Sequence, residues 1–567
     1  MYLNTELQKN NSYDAIVVGT GISGGWAAKE LTEKGLKTLV LERGRMVKHP
    51  DYPTATKDPW EFPNGDRPTQ EDLKQQGVQN RTGYTIKQSS KHWFVNDLEN
   101  PYTETKRFDW MRGYHVGGRS ITWGRQSYRL GDMDFEANLK DGIAIDWPVR
   151  YKEIAPWYDY VEQYIGVSGQ NEGLYQLPDG KYLPPMELTC AETTLKKSMM
   201  EKFGRMLTIG RTAHLTAPLA HSPQRGTCQF RNLCIRGCPY GAYFSSLSST
   251  LVAAEKTGNM TLRPNSIVHE LIFDEKKGKA TGVRIQDAET GETQEFFANV
   301  IFLCASTFGS THIMLNSTSS RFPNGFGNDS DQLGRNIMDH HLNAGADGEL
   351  PGMEDMYHSG RRANGFYIPR YRNVGKDKRD YLRGFGYQGG GSRQGWSRMV
   401  AEYAIGKDLK EAAMSPGMWS LGMGGFGEFL PYQENRVTLN KEKRDKYGLP
   451  TLTFDVELKE NELKMRKDMV NDAAEMLEAA GAKNIKTRDN AGGPGLGIHE
   501  MGTARMGKDP KTSVLNKYNQ VHACKNVFVT DGSFMTSAAC VNPSLSYMAF
   551  TARAVDYAVN ELKKNNI

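Results

Sequence analysis

Short, wholly apolar runs alternate along this chain with glycine-rich turns and amphipathic stretches, a pattern that predicts buried strands crossed by helices. Asp14-Ala-Ile-Val-Val18 reads as a buried strand, a helical run follows to Lys34, and Lys37-Thr-Leu-Val-Leu41 reads as a second strand. Near the other end, Asn526 to Thr530 is a further strand closed by Asp531-Gly532, with a helix predicted from Pro543. Residues 461–481 read as an amphipathic helix with Leu463, Met469, Val470, Ala473, Met476 and Leu477 as its core face. Gly384-Phe-Gly-Tyr-Gln388-Gly and Leu421-Gly-Met-Gly-Gly-Phe-Gly-Glu428 read as glycine-rich strands, and alternation sends Tyr387 and Gln388 to opposite faces. Residues 45–107, rich in Pro, Trp and charge, predict a long arm that covers a site or contacts a neighbouring subunit.

With 567 residues the chain can bury a large core, and two lobes are expected. Its 59 glycines suit tight turns and close backbone approach to a ligand. The balance of 71 basic to 66 acidic residues, a net charge of +5 without a dense Lys/Arg run, does not point to nucleic acid. No stretch reaches the ~18 apolar residues of a membrane span. Met1 to Tyr13 is polar, with no apolar signal core, so no export signal is read in this chain.

The first strand leads into Gly19-Thr-Gly21-Ile-Ser-Gly24-Gly25, then helix, second strand and Glu42. This is the dinucleotide fingerprint in its required context: glycines let backbone approach a pyrophosphate at a helix N-terminus, and the acidic residue accepts from a ribose. The motif leaves FAD and NAD both open.

His499 and Asn542 stand 43 positions apart, flanking the predicted strand at 526–530. Neutral imidazole takes a hydroxyl proton as hydride leaves the carbon, and an amide holds the same oxygen without competing as a base. The glycine-rich run Gly492 to Gly497 singles out His499, whereas His340 and His522 read as structural histidines. Asn542, before Pro543, also fits a helix N-cap. Asp531-Gly532 reads either as a strand-ending turn or as a contact to a bound nucleotide through backbone N–H groups.

At Arg112-Gly-Tyr-His-Val-Gly117-Gly118-Arg-Ser120-Ile-Thr122-Trp123-Gly124 the chain resembles the glucose–methanol–choline (GMC) flavoprotein oxidoreductases. Leu333-Gly-Arg-Asn336-Ile-Met-Asp-His340, Asn435-Arg436-Val437 and the block from His499 through Gly502-Thr503 and Asp531-Gly532 to Asn542-Pro543 match in the family's order. The resemblance is strong over 13–45, 108–130, 226–345 and 495–560 and weak elsewhere. It implies an α/β fold: a Rossmann-like FAD-binding lobe and a second α+β substrate lobe whose mostly antiparallel sheet roofs the flavin. On that basis the FAD lobe takes 1–150, 226–345 and 491–567, and the substrate lobe takes 151–225 and 346–490. The resemblance implies FAD contacts from Gly19, Gly21, Gly24, Glu42, Gly117, Gly118, Ser120, Trp123, Val268, Asp531, Gly532 and Asn542, with His499 and Asn542 at the reacting hydroxyl. Some sugar-oxidising members attach the flavin through a His where Thr122 stands here, so non-covalent FAD is expected. Cys304-Ala-Ser306-Thr307 replaces the family's usual glycine turn, which leaves the local backbone open. Gln388 and Glu428 are candidate ligands of sugar hydroxyls.

Of the seven cysteines, Cys228, Cys234 and Cys238 cluster as C-x5-C-x3-C, with Pro239 after the last. Close-spaced thiolates ending in Cys-Pro suit an iron–sulfur cluster, although buried structural cysteines or a zinc site short of a ligand also fit; no His lies inside the segment, but His221 is close. Cys190, Cys304, Cys524 and Cys540 read as ordinary thiols. Within the family, FAD subunits of bacterial sugar dehydrogenases carry this spacing around a 3Fe–4S cluster that passes electrons to a cytochrome. That resemblance makes oxidation of a secondary hydroxyl of a sugar or glycoside, best at C3 of a glucoside to give a 3-keto sugar, the leading expectation. Gluconate or polyol dehydrogenase and sugar oxidase come next, and a non-redox lyase or an electron-transfer subunit lies further off. It also implies a small partner subunit carrying the export signal and a cytochrome c acceptor, with periplasmic export or a cytoplasmic enzyme both open.

Overall fold

A computed structural model describes residues 11–358, 363–393, 405–414, 417–490 and 492–567; most of the polar N-terminal stretch lies outside them. The fingerprint segment folds as the pattern predicts: strand Ser12–Val18, helix Ile22–Glu33, strand Thr38–Leu41. These strands, buried on both faces, join Met260–Arg263, Thr293–Leu303 and Val527–Val529 in a parallel array. The order is 260–263, 38–41, 12–18, 293–303, 527–529. The N-terminal half of Thr293–Leu303 turns away to pair antiparallel with Lys279–Asp287, which pairs with Ser266–Asp274, completing seven strands. The central strands are continuous Val/Ile/Leu/Phe runs because both their faces are buried. On one side lie Ile22–Glu33 and the C-terminal helix Ser544–Lys563, which contact each other closely.

The second sheet has six antiparallel strands in the order Lys483–Asp489, Ala344–Leu350, Trp419–Gly427, Phe385–Arg393, Phe366–Ile368, Thr208–Ile209. Its back face packs on helix Glu460–Ala479. Gly425 and Gly427 face Met469 and Met465 so closely that any Cβ there would overlap the methionine side chains. The fold class is therefore as expected: a Rossmann-like lobe and an α+β lobe, with the chain passing between them several times. No helix among the described residues is long and apolar enough to cross a membrane.

The helical core face differs from the expectation in part. Met469, Ala473, Met476 and Leu477 are buried, but Leu463 is 46% exposed and Val470 only partly covered; Met465 takes the inner position instead. At about 100° per residue Met465 and Met469 share one stripe, and Leu463 falls outside it.

Without its usual glycine the turn at 304–307 still forms. Ser306, at φ 70° and ψ 162°, caps helix Thr307–Asn316 in a region that is essentially reserved for glycine and costs ~1–3 kcal/mol. The arm at 45–107 is not detached. Arg236 Nη1 donates to Lys57 O (3.0 Å), His49 Nε2 meets Cys238 O (3.1 Å), and Tyr84, Thr85 and Phe94 reach the central cavity.

Because Met469 fills a groove of the sheet and Leu463 faces water, Met469→Ala should cost about 2–5 kcal/mol. Leu463→Ala should stay within about 0.5 kcal/mol. Urea unfolding of the two variants checks the helix phase; equal midpoints would contradict it.

Candidate active site

A cavity of about 410 Å3 runs from the fingerprint glycines to the glycine-rich sheet. At one end, helix Ile22–Glu33 begins at Gly21 with no side-chain cap, and Gly19, Gly21, Ile22 and Ser23 line the wall. Uncapped N–H groups at a helix start are a ready anion site. Gly19 has φ +98°, and a Cβ there would lie 2.5 Å from Cys304 O. A Cβ on Gly24 would lie 1.9 Å from Gly19 O, so Gly24 serves helix–turn packing and does not line the cavity.

Glu42 lies buried at the end of its strand and accepts from Thr20 N (3.1 Å), from the Thr20 hydroxyl and from Gly44 N (2.9 Å). Burial pushes its carboxyl up despite these donors. Thr20 also receives Gly117 N–H at 2.9 Å, tying the Gly117-Gly118 segment to the fingerprint. Gly118, Ser120, Thr122 and Trp123 line the cavity, whereas Gly117 stands behind it. Ser120 Oγ accepts Ser246 N–H (3.1 Å), and Trp123 Nε1 donates to Phe244 O (2.9 Å). Val268, on Ser266–Asp274, and the Asp531-Gly532 pair complete the wall. The Asp531 carboxylate is turned inward, accepting from Ser533 N (3.1 Å) and from the Ser533 and Ser310 hydroxyls. An elongated cavity with an uncapped helix start, a buried acid and glycine walls fits FAD. Glu42 would take the adenosine ribose, the Gly19–Gly21 turn the pyrophosphate, and the 118–123 segment the flavin.

At the other end stand His499, Asn542 and Gln388. His499 follows the run 492–497, whose N–H groups at Gly495 and Gly497 bond Asp339 Oδ2 (2.8 and 3.0 Å); His499 N bonds Asp339 Oδ1 (2.9 Å). Burial, with Glu500 nearby, raises the Asp339 carboxyl to about 6. Asn542 Nδ2 lies 3.2 Å from His499 Nε2, and Asn542 Oδ1 accepts from Gln388 Nε2. The helix at Ser544 takes Pro543 as its N-cap without a side-chain bond, so Asn542 spends its amide on the site and not on capping. On its other side His499 Nδ1 meets His340 Nδ1 at 2.9 Å, and His340 Nε2 meets Ala539 O at 2.9 Å.

A carbonyl only accepts, so His340 carries its proton on Nε2 and offers a lone pair at Nδ1. His499 must then donate through Nδ1, leaving Nε2 as an acceptor that faces Asn542. Burial holds His340 at about 4, which keeps it neutral. Burial, His340 and Arg119 push His499 well below the ordinary imidazole value, so it too is neutral, with its basic nitrogen toward the cavity. Arg119, also on the cavity wall, forks onto Glu500 with Nη1–Oε1 2.9 Å and Nη2–Oε2 2.6 Å.

Three sequence expectations are corrected. Glu428 is buried 3.6 Å from Arg383 and bridges the His340 backbone, and it does not line the cavity where His499 and Asn542 stand. His340 is not a remote structural histidine; its place in the Leu333–His340 block was the available signal. His221 turns from the cysteines to Tyr164 O (3.0 Å), and His214, 3.7 Å from Cys234 Sγ, takes its place. His522, by contrast, is structural, 3.1 Å from Ser513 Oγ. Cys228, Cys234 and Cys238 are half-buried free thiols, and burial raises the first two. Among the described residues no three or more His, Cys, Asp or Glu side chains are arranged to hold a metal ion.

Family models described as GMC oxidoreductase match residues 13–342 and 431–551. The 2-methyl-1,2-propanediol dehydrogenase of Mycolicibacterium austroafricanum is 27% identical, over 96% of this chain and 94% of that one. The fructose dehydrogenase large subunit of Gluconobacter japonicus is 26% identical, over 98% and 99%. The gluconate 2-dehydrogenase flavoprotein of Pantoea cypripedii is 25% identical, over 95% and 92%. Among solved structures, pyridoxine 4-oxidase from Mesorbium loti shares the fold at a TM-score of 0.61 and 16% identity, covering 96% of this chain and 99% of that one. Fold, cavity and matched segments lead to one conclusion: the chain belongs to the GMC oxidoreductases, as an FAD-dependent enzyme acting on CH–OH groups.

Proposed function

We propose that the protein is a dehydrogenase of sugars or glycosides, oxidising a secondary hydroxyl to a ketone. The observation that carries this is the pair His499–Asn542, a neutral acceptor nitrogen and an amide donor 3.2 Å apart at the flavin end of the cavity. An alcohol oxygen entering between them accepts from Asn542 Nδ2 and gives its proton to His499 Nε2. Gln388, on the cavity wall, holds the Asn542 amide in the donating orientation and offers a polar group to a further hydroxyl. Bound FAD supplies the acceptor for the hydride leaving the same carbon. We place FAD as non-covalent, since Thr122 offers no imidazole for attachment. Within the sugar class we propose C3 of a glucoside, giving a 3-keto sugar. Similarity to fructose- and gluconate-oxidising relatives supports the class, and gluconate or polyol oxidation is the second reading.

The three-cysteine segment carries a separate proposal on its spacing, a 3Fe–4S cluster at Cys228, Cys234 and Cys238. No step of the reaction is routed through it. A small partner subunit and a cytochrome c acceptor belong to the same proposal.

Anaerobic methyl glucoside should bleach the flavin of the FAD-loaded protein. His499→Ala should slow bleaching about 10²–10⁴-fold with FAD retained. A panel of sugars and polyols that leaves the flavin oxidised would contradict the proposal. Because the basic nitrogen of His499 stays unprotonated below the usual imidazole range, the reduction rate should remain level as pH falls through about 6.5. It should drop only in more acid solution, and an inflection near 6.5 would contradict this. Protein purified without oxygen should carry about three irons per flavin, giving a paramagnetic cluster signal; an iron-free active protein would refute the cluster.

A further inference from the structure

We propose that His340 is a positioning residue that sets the tautomer of His499 and so decides which of its nitrogens is the base. This rests on the role proposed for His499. An isolated imidazole carries its proton on either nitrogen, and only the Nδ1–H form presents a basic Nε2 to the cavity. The backbone around His499 is fixed by Asp339, which takes the N–H groups of Gly495, Gly497 and His499 itself. That cradle places the Cα and leaves the ring proton undetermined. Two ring contacts bear on it: Nδ1 to His340 Nδ1 at 2.9 Å, the two rings meeting at 83°, and Nε2 to Asn542 Nδ2 at 3.2 Å; once a substrate oxygen takes the Asn542 N–H, the His340 contact is the one that still holds the tautomer.

His340 is itself determined by one neighbour. Its Nε2–H donates to the carbonyl of Ala539, 2.9 Å away. Ala539 is fully buried and holds φ 59°, a left-handed backbone that side-chain-bearing residues rarely adopt. Strain of that kind persists where surrounding structure over-determines it, and here the strained residue supplies the carbonyl that orients the pair. Orientation therefore runs in one direction, from the Ala539 carbonyl through His340 to His499 and on to Asn542. When His499 takes the substrate proton at Nε2, its Nδ1–H remains donated to the neutral His340, so the new charge keeps its partner. The proton does not pass onward, because His340 Nε2 already carries one and faces an oxygen that only accepts. It leaves from Nε2 on the cavity side.

The test uses the FAD-loaded full chain labelled with 15N-histidine, together with His340→Phe and His340→Gln. Phe keeps the bulk and removes the acceptor; Gln can accept through Oε1 and donate through Nε2. The wild-type spectrum should show His499 as the Nδ1–H form. His340→Phe should convert it to Nε2–H or a mixture and lower the limiting rate of anaerobic flavin reduction by methyl glucoside about 10³–10⁴-fold, the size of a wrong-tautomer defect. The substrate concentration for half-maximal rate should move less than about threefold, and His340→Gln should recover at least about tenfold of the lost rate. An Nε2–H form in the wild type, an undiminished rate in His340→Phe, or a loss confined to substrate affinity would overturn the proposal. Should His340→Phe lose its flavin, the wild-type spectrum and the glutamine variant decide. If no alcohol reduces the wild-type flavin, the reading of the reaction fails, while the spectrum still reports whether His340 sets the tautomer.

Discussion

The carbonyl of Ala539, receiving His340 Nε2 at 2.9 Å, can only accept, and so it anchors the chain His340–His499–Asn542–Gln388, each of whose members could either donate or accept. Everything chemical in the site is determined from it. His340 becomes an acceptor at Nδ1, His499 a donor at Nδ1 and an acceptor at Nε2, Asn542 a donor at Nδ2, and Gln388 the donor that holds Asn542 Oδ1. Four side chains from four separate stretches thus behave as one directed chain, ending at the cavity in a basic nitrogen beside an amide N–H. In a buried setting each member is worth more paired and costs more unpaired, so the chain tolerates no loose link.

The fold makes this chain possible by bringing distant segments to one edge of the parallel sheet. Strand Val527–Val529 lies beside Thr293–Leu303, so the loop that follows it, and then Asn542, emerges where the fingerprint turn also ends. Thr20 links Glu42 to Gly117, and Arg119 links the same segment to Glu500 beside His499. The nucleotide end and the proton-handling end are therefore joined through residues 117–119. Above them the antiparallel sheet brings Gln388 to the cavity while Tyr387, one position earlier, points back to the helix, its hydroxyl 2.7 Å from Met469 O.

Much of this was legible in the sequence where local pattern and chemistry agree. The fingerprint, with two buried strands and Glu42, is a local motif, and it folds as a local motif. Gln388 followed from alternation along a strand, and His499 and Asn542 from residue chemistry and family position. The failures have physical causes of another kind. Glu428, just after the strand Trp419–Gly427, turns into the buried neighbourhood of Arg383, a partner 45 positions away that alternation cannot reveal. Leu463 fits a helical period but falls outside the stripe that Met465 and Met469 occupy. His340 looked like any loop histidine because its meaning lies in a contact across 159 positions. The cysteine segment shows the opposite case: its spacing reads clearly, while among the described residues its side chains do not form a metal-binding group.

A crystal structure of the FAD-loaded protein with a sugar bound would show which groups hold the reacting hydroxyl. The reacting hydroxyl oxygen should lie within about 3.2 Å of both His499 Nε2 and Asn542 Nδ2, with His499 Nδ1 still on His340. A sugar whose hydroxyl meets neither group, or a His499 ring turned to present Nδ1 to the cavity, would contradict it.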